Sequence, residues 1–127
     1  NASIGAGGTG TVKMDAGTWN VAGNLGMGLG GGSANLILNG GTISIAGGVN
    51  DPGSHVPQGG LLVGDSGSGT VTQTGGSVTA NELIIAANPG AIGTYHLNGG
   101  TASSGSVSPV ASLSRWRLFV SIRGSCQ

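Results

Sequence analysis

The stretch LILNGGTISI, from Leu36 to Ile45, decides how this chain is read. Further on, the chain spells YHLNGGTASS, from Tyr95 to Ser104. The shared block Leu-Asn-Gly-Gly-Thr contains no acid, base or activated nucleophile. It therefore points to a unit of structure rather than a site used twice. Aligning every Gly-(Thr/Ser) step gives Gly17-Thr18, Gly41-Thr42, Gly76-Ser77 and Gly100-Thr101, at successive sequence offsets of 24, 35 and 24. The odd offset equals one unit plus an insertion of about eleven residues, placed at Val49–Gly59. The two further copies of the block, MDAGT (14–18) and QTGGS (73–77), are hidden by drift.

Other columns keep the same register. Val12, Leu36, Val71 and Tyr95 form one, and Met14, Leu38, Gln73 and Leu97 a second. Trp19, Ile43, Val78 and Ala102 form a third, and Asp15, Asn39, Thr74 and Asn98 a polar column at a turn. A third segment precedes each unit: SIG (3–5), NLGMG (24–28), LLVG (61–64) and LIIA (83–86). Within segments apolar residues alternate. Leu36 and Leu38 point one way and Ile37 the other; Trp19 and Val21 oppose Asn20. Period two is the signature of strand. Asn39, Gly40, Gly41 and Asn98, Gly99, Gly100 read as structural turns, because paired Gly suits a tight corner with positive φ.

One such unit of three short strands cannot bury its apolar face alone, whereas stacked copies bury it against one another. The expected fold is all-β: a single-stranded parallel β-helix, or solenoid, of about four layers with one inserted loop. The crossover rule makes it right-handed. Residues 1–105 form the repeats in this reading. Residues 106–127 form a C-terminal cap, a degenerate fifth layer or a fragment end. In that tail RWRLFVSIR (115–123) alternates like one amphipathic strand, and Gly124 falls 24 after Gly100.

Composition narrows function. The 127 residues include 29 Gly and 4 Pro, yet enough aliphatics for a core. Four basic and four acidic residues cancel, which argues against nucleic acid as a partner. The lone cysteine, Cys126, excludes an intrachain disulfide and a thiolate zinc cluster. No apolar run reaches the roughly 20 residues of a membrane helix. The chain begins at Asn1 without an initiator Met, so we expect a mature piece of something longer.

IGAGGTGTVKMDAGTWNVAGNLGMG (4–28) and LLVGDSGSGTVTQTGGSVTANELIIA (61–86) resemble the β-strand repeats of bacterial autotransporter passengers and related exported repeat-rich surface proteins. The resemblance spans residues 1 to about 105. It implies a β-helical stalk, secreted or held at the outer membrane or cell surface. Cell-surface glycans or other surface proteins would then be its partners.

The chemical groups are sparse. GMGLGG (Gly26, Gly28, Gly31) matches a dinucleotide motif, but a strand follows where a helix is required, so no cofactor is expected. GGTGTV (7–12) has Val where a calcium nonapeptide needs Asp, so no metal is expected. Asp51, His55 and Asp65 bracket the insertion and form the one candidate ligand loop, with Ser54 and Ser66 nearby. His96, between Tyr95 and Leu97, should face outward. The leading expectation is thus a non-catalytic stalk, spacer or adhesin-like scaffold, not an enzyme. The alternative is a glycan-binding or glycan-cleaving module using the 49–59 loop. A third is ice binding on a hydroxyl-rich sheet face. The far-ultraviolet circular dichroism spectrum should be dominated by strand, and a helical double minimum would contradict this reading.

Overall fold

The computed structural model of the 127-residue chain describes residues 1–47, 59–108, 115–120 and 124–126. Alternation between apolar and small polar residues yields strands, and Gly-rich steps end them. In chain order these are β1 Ala2–Ile4, β2 Thr9–Met14, β3 Thr18–Ala22, β4 Leu25–Met27, β5 Ser33–Leu38, β6 Thr42–Ala46 and β7 Gly60–Val63. There follow β8 Ser68–Gln73, β9 Ser77–Ile85, β10 Ile92–Leu97, β11 Gly100–Ser108, β12 Arg115–Val120 and β13 Gly124–Cys126. The only helical turn among the described residues is a 3-10 turn at Leu29–Gly31. It occupies the last three residues of GMGLGG, and β5 follows after Gly32.

The strands form two parallel sheets. One has the order β12-β10-β8-β5-β2. The other runs β1-β4-β7-β9-β11-β13, with β3 paired to β6 and β6 to β9. The sheets are arranged around the core in a nearly closed, barrel-like manner. The pairing register follows the sequence repeat. Thr9 faces Ser33, Ser33 faces Ser68, and Ser68 faces Ile92, at offsets of 24, 35 and 24. In the other sheet Thr18, Thr42, Ser77 and Thr101 align at the same offsets. Beyond them β12 pairs with β10, and Gly124 of β13 faces Gly100.

The main core lies between the sheets. Leu36 and Leu38 of β5 are fully buried, as are Ile43 of β6 and Leu25 of β4, while Ile37 is only half-buried. Burying each such side chain is worth about 1.5–3 kcal/mol. A slip of one residue would turn this set out to solvent, so the apolar columns fix the register.

The three-strand unit is modified in its later copies. β9 and β11 run nine residues without a break and serve as second and third segment together. β9 pairs with β6 along its first half and with β7 along its second. The first copy has Ala22-Gly23-Asn24 between Val21 and Leu25, whereas the third has only Asn81-Glu82 between Ala80 and Leu83. Without the extra residue, Gly23 at φ +101°, the chain has no corner to turn and stays extended.

The Gly before each Thr/Ser step is a left-handed corner. Gly17, Gly41, Gly76 and Gly100 have φ of +92°, +88°, +70° and +77°. Neighbouring corners also touch: a Cβ on Gly76 would stand 2.4 Å from the Gly41 carbonyl oxygen. A Cβ on Gly17 would meet nothing within 4 Å. We therefore expect Gly17→Ala to cost only the left-handed penalty of about 1–2 kcal/mol. Gly76→Ala should cost clearly more, and equal losses in chemical denaturation would contradict the account. Truncating Leu36 to Ala should cost about 2–5 kcal/mol.

Candidate functional site

Asp51 and His55, with most of the 49–59 insertion, lie outside the described residues. Asp65, the third member of the expected ligand loop, sits in the corner that follows β7. There its main-chain N–H donates to the Met27 carbonyl at 2.8 Å. The Asn88 side-chain amide donates to the Asp65 carbonyl oxygen at 2.7 Å and approaches its carboxylate Oδ1 at 3.4 Å. Next to it Ser66 Oγ accepts from Gly30 N–H at 2.7 Å. Asp65 and Ser66 thus brace one corner against its neighbours in sequence-distant copies.

The other described acids stand elsewhere. Asp15 lies between β2 and β3, and Glu82 lies within β9. Among the described residues no three His, Cys, Asp or Glu side chains gather where they could hold a metal ion. His96 is half-exposed on β10 between buried Tyr95 and Leu97. Lys13 Nζ and Asp15 Oδ2 approach to 3.8 Å, both well exposed, and such a pair contributes little. Among the described residues no helix is long and apolar enough to cross a membrane.

Polar side chains are instead spent on joining copies. Asn39, expected as part of a structural turn, reaches sideways. Its Nδ2 donates to Asp15 Oδ1 at 2.8 Å, and its Oδ1 accepts from Thr74 Oγ1 at 2.8 Å. The polar turn column is therefore a hydrogen-bonded ladder across at least three copies. Asn24 makes a second tie: its Oδ1 accepts from Gly60 N–H at 2.8 Å, while its own N–H donates to Asn1 Oδ1 at 2.8 Å.

The sheet faces considered for ice binding are aligned but irregular. On the five-stranded sheet the outward rows are Thr11/Lys13, Asn35/Ile37, Thr70/Thr72 and Thr94/His96. On the other sheet Asn20, Ser44, Thr79 and Ser103 form one column beside the Thr/Ser column. Some of these hydroxyls bond to each other: Ser77 Oγ to Thr42 Oγ1 at 3.3 Å, and Ser68 Oγ to Ser33 Oγ at 3.1 Å.

One polar arrangement in the core goes beyond the sequence reading. Gln73 is fully buried in a column otherwise held by Met14, Leu38 and Leu97. Its Nε2 donates to the Thr101 carbonyl at 2.9 Å and the Gly76 carbonyl at 3.2 Å. Its Oε1 accepts from the buried Tyr95 hydroxyl at 2.6 Å. Both amide hydrogens and the carbonyl are therefore engaged, which offsets the cost of burying them. The pair is diagonal across β8 and β10, since Gln73 faces Leu97 and Tyr95 faces Val71. The sequence does carry a signal for it: a Gln and a Tyr drift together, in successive copies, within two apolar columns.

No protein-family model, curated protein or solved structure matches this chain.

Tyr95→Phe should leave the Gln73 carbonyl short of a donor and cost about 1–3 kcal/mol. Adding Gln73→Leu should cost less than the two single losses summed, with a coupling of about 0.5–3 kcal/mol. Denaturant titration of the four chains checks this, and strict additivity would contradict it.

Proposed function

We propose that the chain is a non-catalytic scaffold: a β-solenoid segment of an exported or cell-surface bacterial protein, acting as stalk, spacer or adhesin-like support. In this reading the sheets are faces of a single-stranded, right-handed parallel β-helix of about four layers. Each layer is one copy of the repeat, and one layer carries the inserted loop. At about 4.8 Å per layer the stack would rise roughly 19 Å. The observation that supports it best is the parallel register, whose sequence offsets of 24, 35 and 24 recur in both sheets alike. A chain coiling once per repeat produces that pattern directly.

The use of polar groups supports the same conclusion. Asp65, Asn39, Asn24 and Gln73 are bonded to neighbouring copies of the unit and form no convergent acid–base pair. Glycosidic cleavage needs two carboxyl groups facing each other across a bond, about 5–9.5 Å apart. The resemblance to autotransporter passenger repeats adds the surface location and the stalk role. Surface glycans or surface proteins are the partners that location suggests.

Two experiments test the proposal. In a stack stabilised by nearest neighbours, one whole unit can be removed at modest cost. Excising residues 9–32 joins Gly8 to Ser33 and removes one full unit in register. The shortened chain should keep its strand spectrum and unfold cooperatively at lower denaturant; loss of the fold would contradict the solenoid. For the non-catalytic role, pectic and related oligosaccharides should yield no new reducing ends. Turnover that disappears in Asp51→Asn or Asp65→Asn would overturn it.

A further inference from the structure

We propose that Asn98 is a modification site, at which the chain converts its own side-chain amide to a carboxylate, and that the polar ladder protects Asn39 from the same reaction. This modification is independent of the scaffold role proposed above.

The chemistry belongs to a dipeptide. Asn39-Gly40 and Asn98-Gly99 are the two Asn-Gly steps of the chain. Glycine has no Cβ, so its main-chain nitrogen is little shielded and turns readily toward the preceding side chain. The Gly99 nitrogen bonds to Asn98 Cγ, the Cγ–Nδ2 bond breaks, and ammonia leaves with the proton of Gly99 N–H. Water then opens the cyclic imide. Cleavage of the Cγ–N bond leaves an aspartyl residue, and cleavage at the main-chain carbonyl leaves an isoaspartyl residue. One water enters and one ammonia departs, so the step is balanced without an oxidant or a partner.

The two steps form a matched pair. Both lie in the pentapeptide LNGGT, so the unfolded chain gives them the same local chemistry. Their main chains are alike too. The Met14 carbonyl accepts from Asn39 N–H at 2.9 Å and from Gly40 N–H at 3.4 Å. The Gln73 carbonyl accepts from Asn98 N–H at 2.8 Å and from Gly99 N–H at 3.2 Å. In each corner the glycine N–H, which has to be given up, makes the longer and weaker bond. Both asparagines are exposed to water.

The difference lies in the side chains. Asn39 Nδ2 donates to Asp15 Oδ1, and Asn39 Oδ1 accepts from Thr74 Oγ1, both at 2.8 Å. Its Cγ is thereby held between two neighbouring copies, and cyclisation has to break both bonds. The product would also set a second carboxylate beside Asp15, which like charge disfavours. Among the described residues the Asn98 side chain has no hydrogen-bond partner. Nothing of that kind has to be broken before its Cγ turns to the Gly99 nitrogen.

Peptide mapping by mass spectrometry, on the full chain kept in mildly alkaline buffer, provides the test. In the folded chain Asn98 should convert at least about tenfold faster than Asn39, the factor set by breaking two hydrogen bonds before cyclisation. Isoelectric focusing should show the formally neutral chain gaining one negative charge first. In concentrated denaturant the two LNGGT steps should convert at the same rate. Asp15→Ala combined with Thr74→Val removes both bonds to Asn39, whose folded rate should then rise toward that of Asn98. Thr74→Ser keeps the donor and should keep Asn39 slow. Equal rates in the folded wild-type chain, or a faster Asn39, overturn the proposal. So does a difference that persists undiminished in denaturant. An Asn39 that stays slow in a strand-rich Asp15→Ala, Thr74→Val chain overturns the protective role of the ladder.

Discussion

Main-chain hydrogen bonding between parallel strands at recurring sequence offsets is the interaction on which the rest of this molecule depends. Every pairing among the described strands is parallel, and two of the three segment columns share the offsets 24, 35 and 24. Once that ladder exists, like residues stack on like. Apolar positions become continuous inner columns, Thr and Ser line up outside, and the corner glycines fall over one another. The corner is the strictest consequence. Gly76 must be glycine for its φ of +70° and for the Gly41 carbonyl that would lie 2.4 Å from any Cβ. Repetition in the sequence is therefore a geometric requirement of stacking, and LNGGT recurs because the same corner recurs.

Polar side chains obey the ladder too. Asn39 bridges Asp15 and Thr74, one copy before and one after, and Gln73 with Tyr95 forms a satisfied polar knot inside an apolar core. Any slip of register would leave the hydrogen-bond groups of this buried amide unmatched. The other polar side chains, Asn24 and Asp65 among them, likewise bond to neighbouring strands and corners.

Much of this is legible in the sequence, for a physical reason. Register in a parallel stack equals sequence offset, so aligning Gly-Thr steps also aligns Val12 with Leu36, Val71 and Tyr95. Period-two alternation then assigns Leu36 and Leu38 to the core and Ile37 to the other face. What escapes depends on residue counts or on side-chain reach. Loss of one residue before Leu83 fuses two expected strands into β9, a change invisible to a motif that tolerates drift. Asn39 reads as part of a local turn, since a sequence shows neighbours along the chain and not the copies beside it. Gln73 looks like decay of an apolar column until Tyr95 supplies its donor. Of the expected ligand loop, only Asp65 falls among the described residues, where it serves as a corner brace.

The central claim is that copies of the unit stack in parallel at a sequence offset of 24, stretched to 35 across the insertion. Disulfide trapping of paired outward positions tests it most directly, because a bridge forms only when Cα atoms lie about 4.4–6.8 Å apart. With Cys126→Ser as background, Asn35→Cys with Thr70→Cys, and separately Thr70→Cys with Thr94→Cys, place thiols on register partners. Both pairs should oxidise quickly in the folded chain, and the offset pair Asn35→Cys with Thr72→Cys should lag far behind. Equal rates for matched and offset pairs, or no bridge between Asn35→Cys and Thr70→Cys, would contradict the stack.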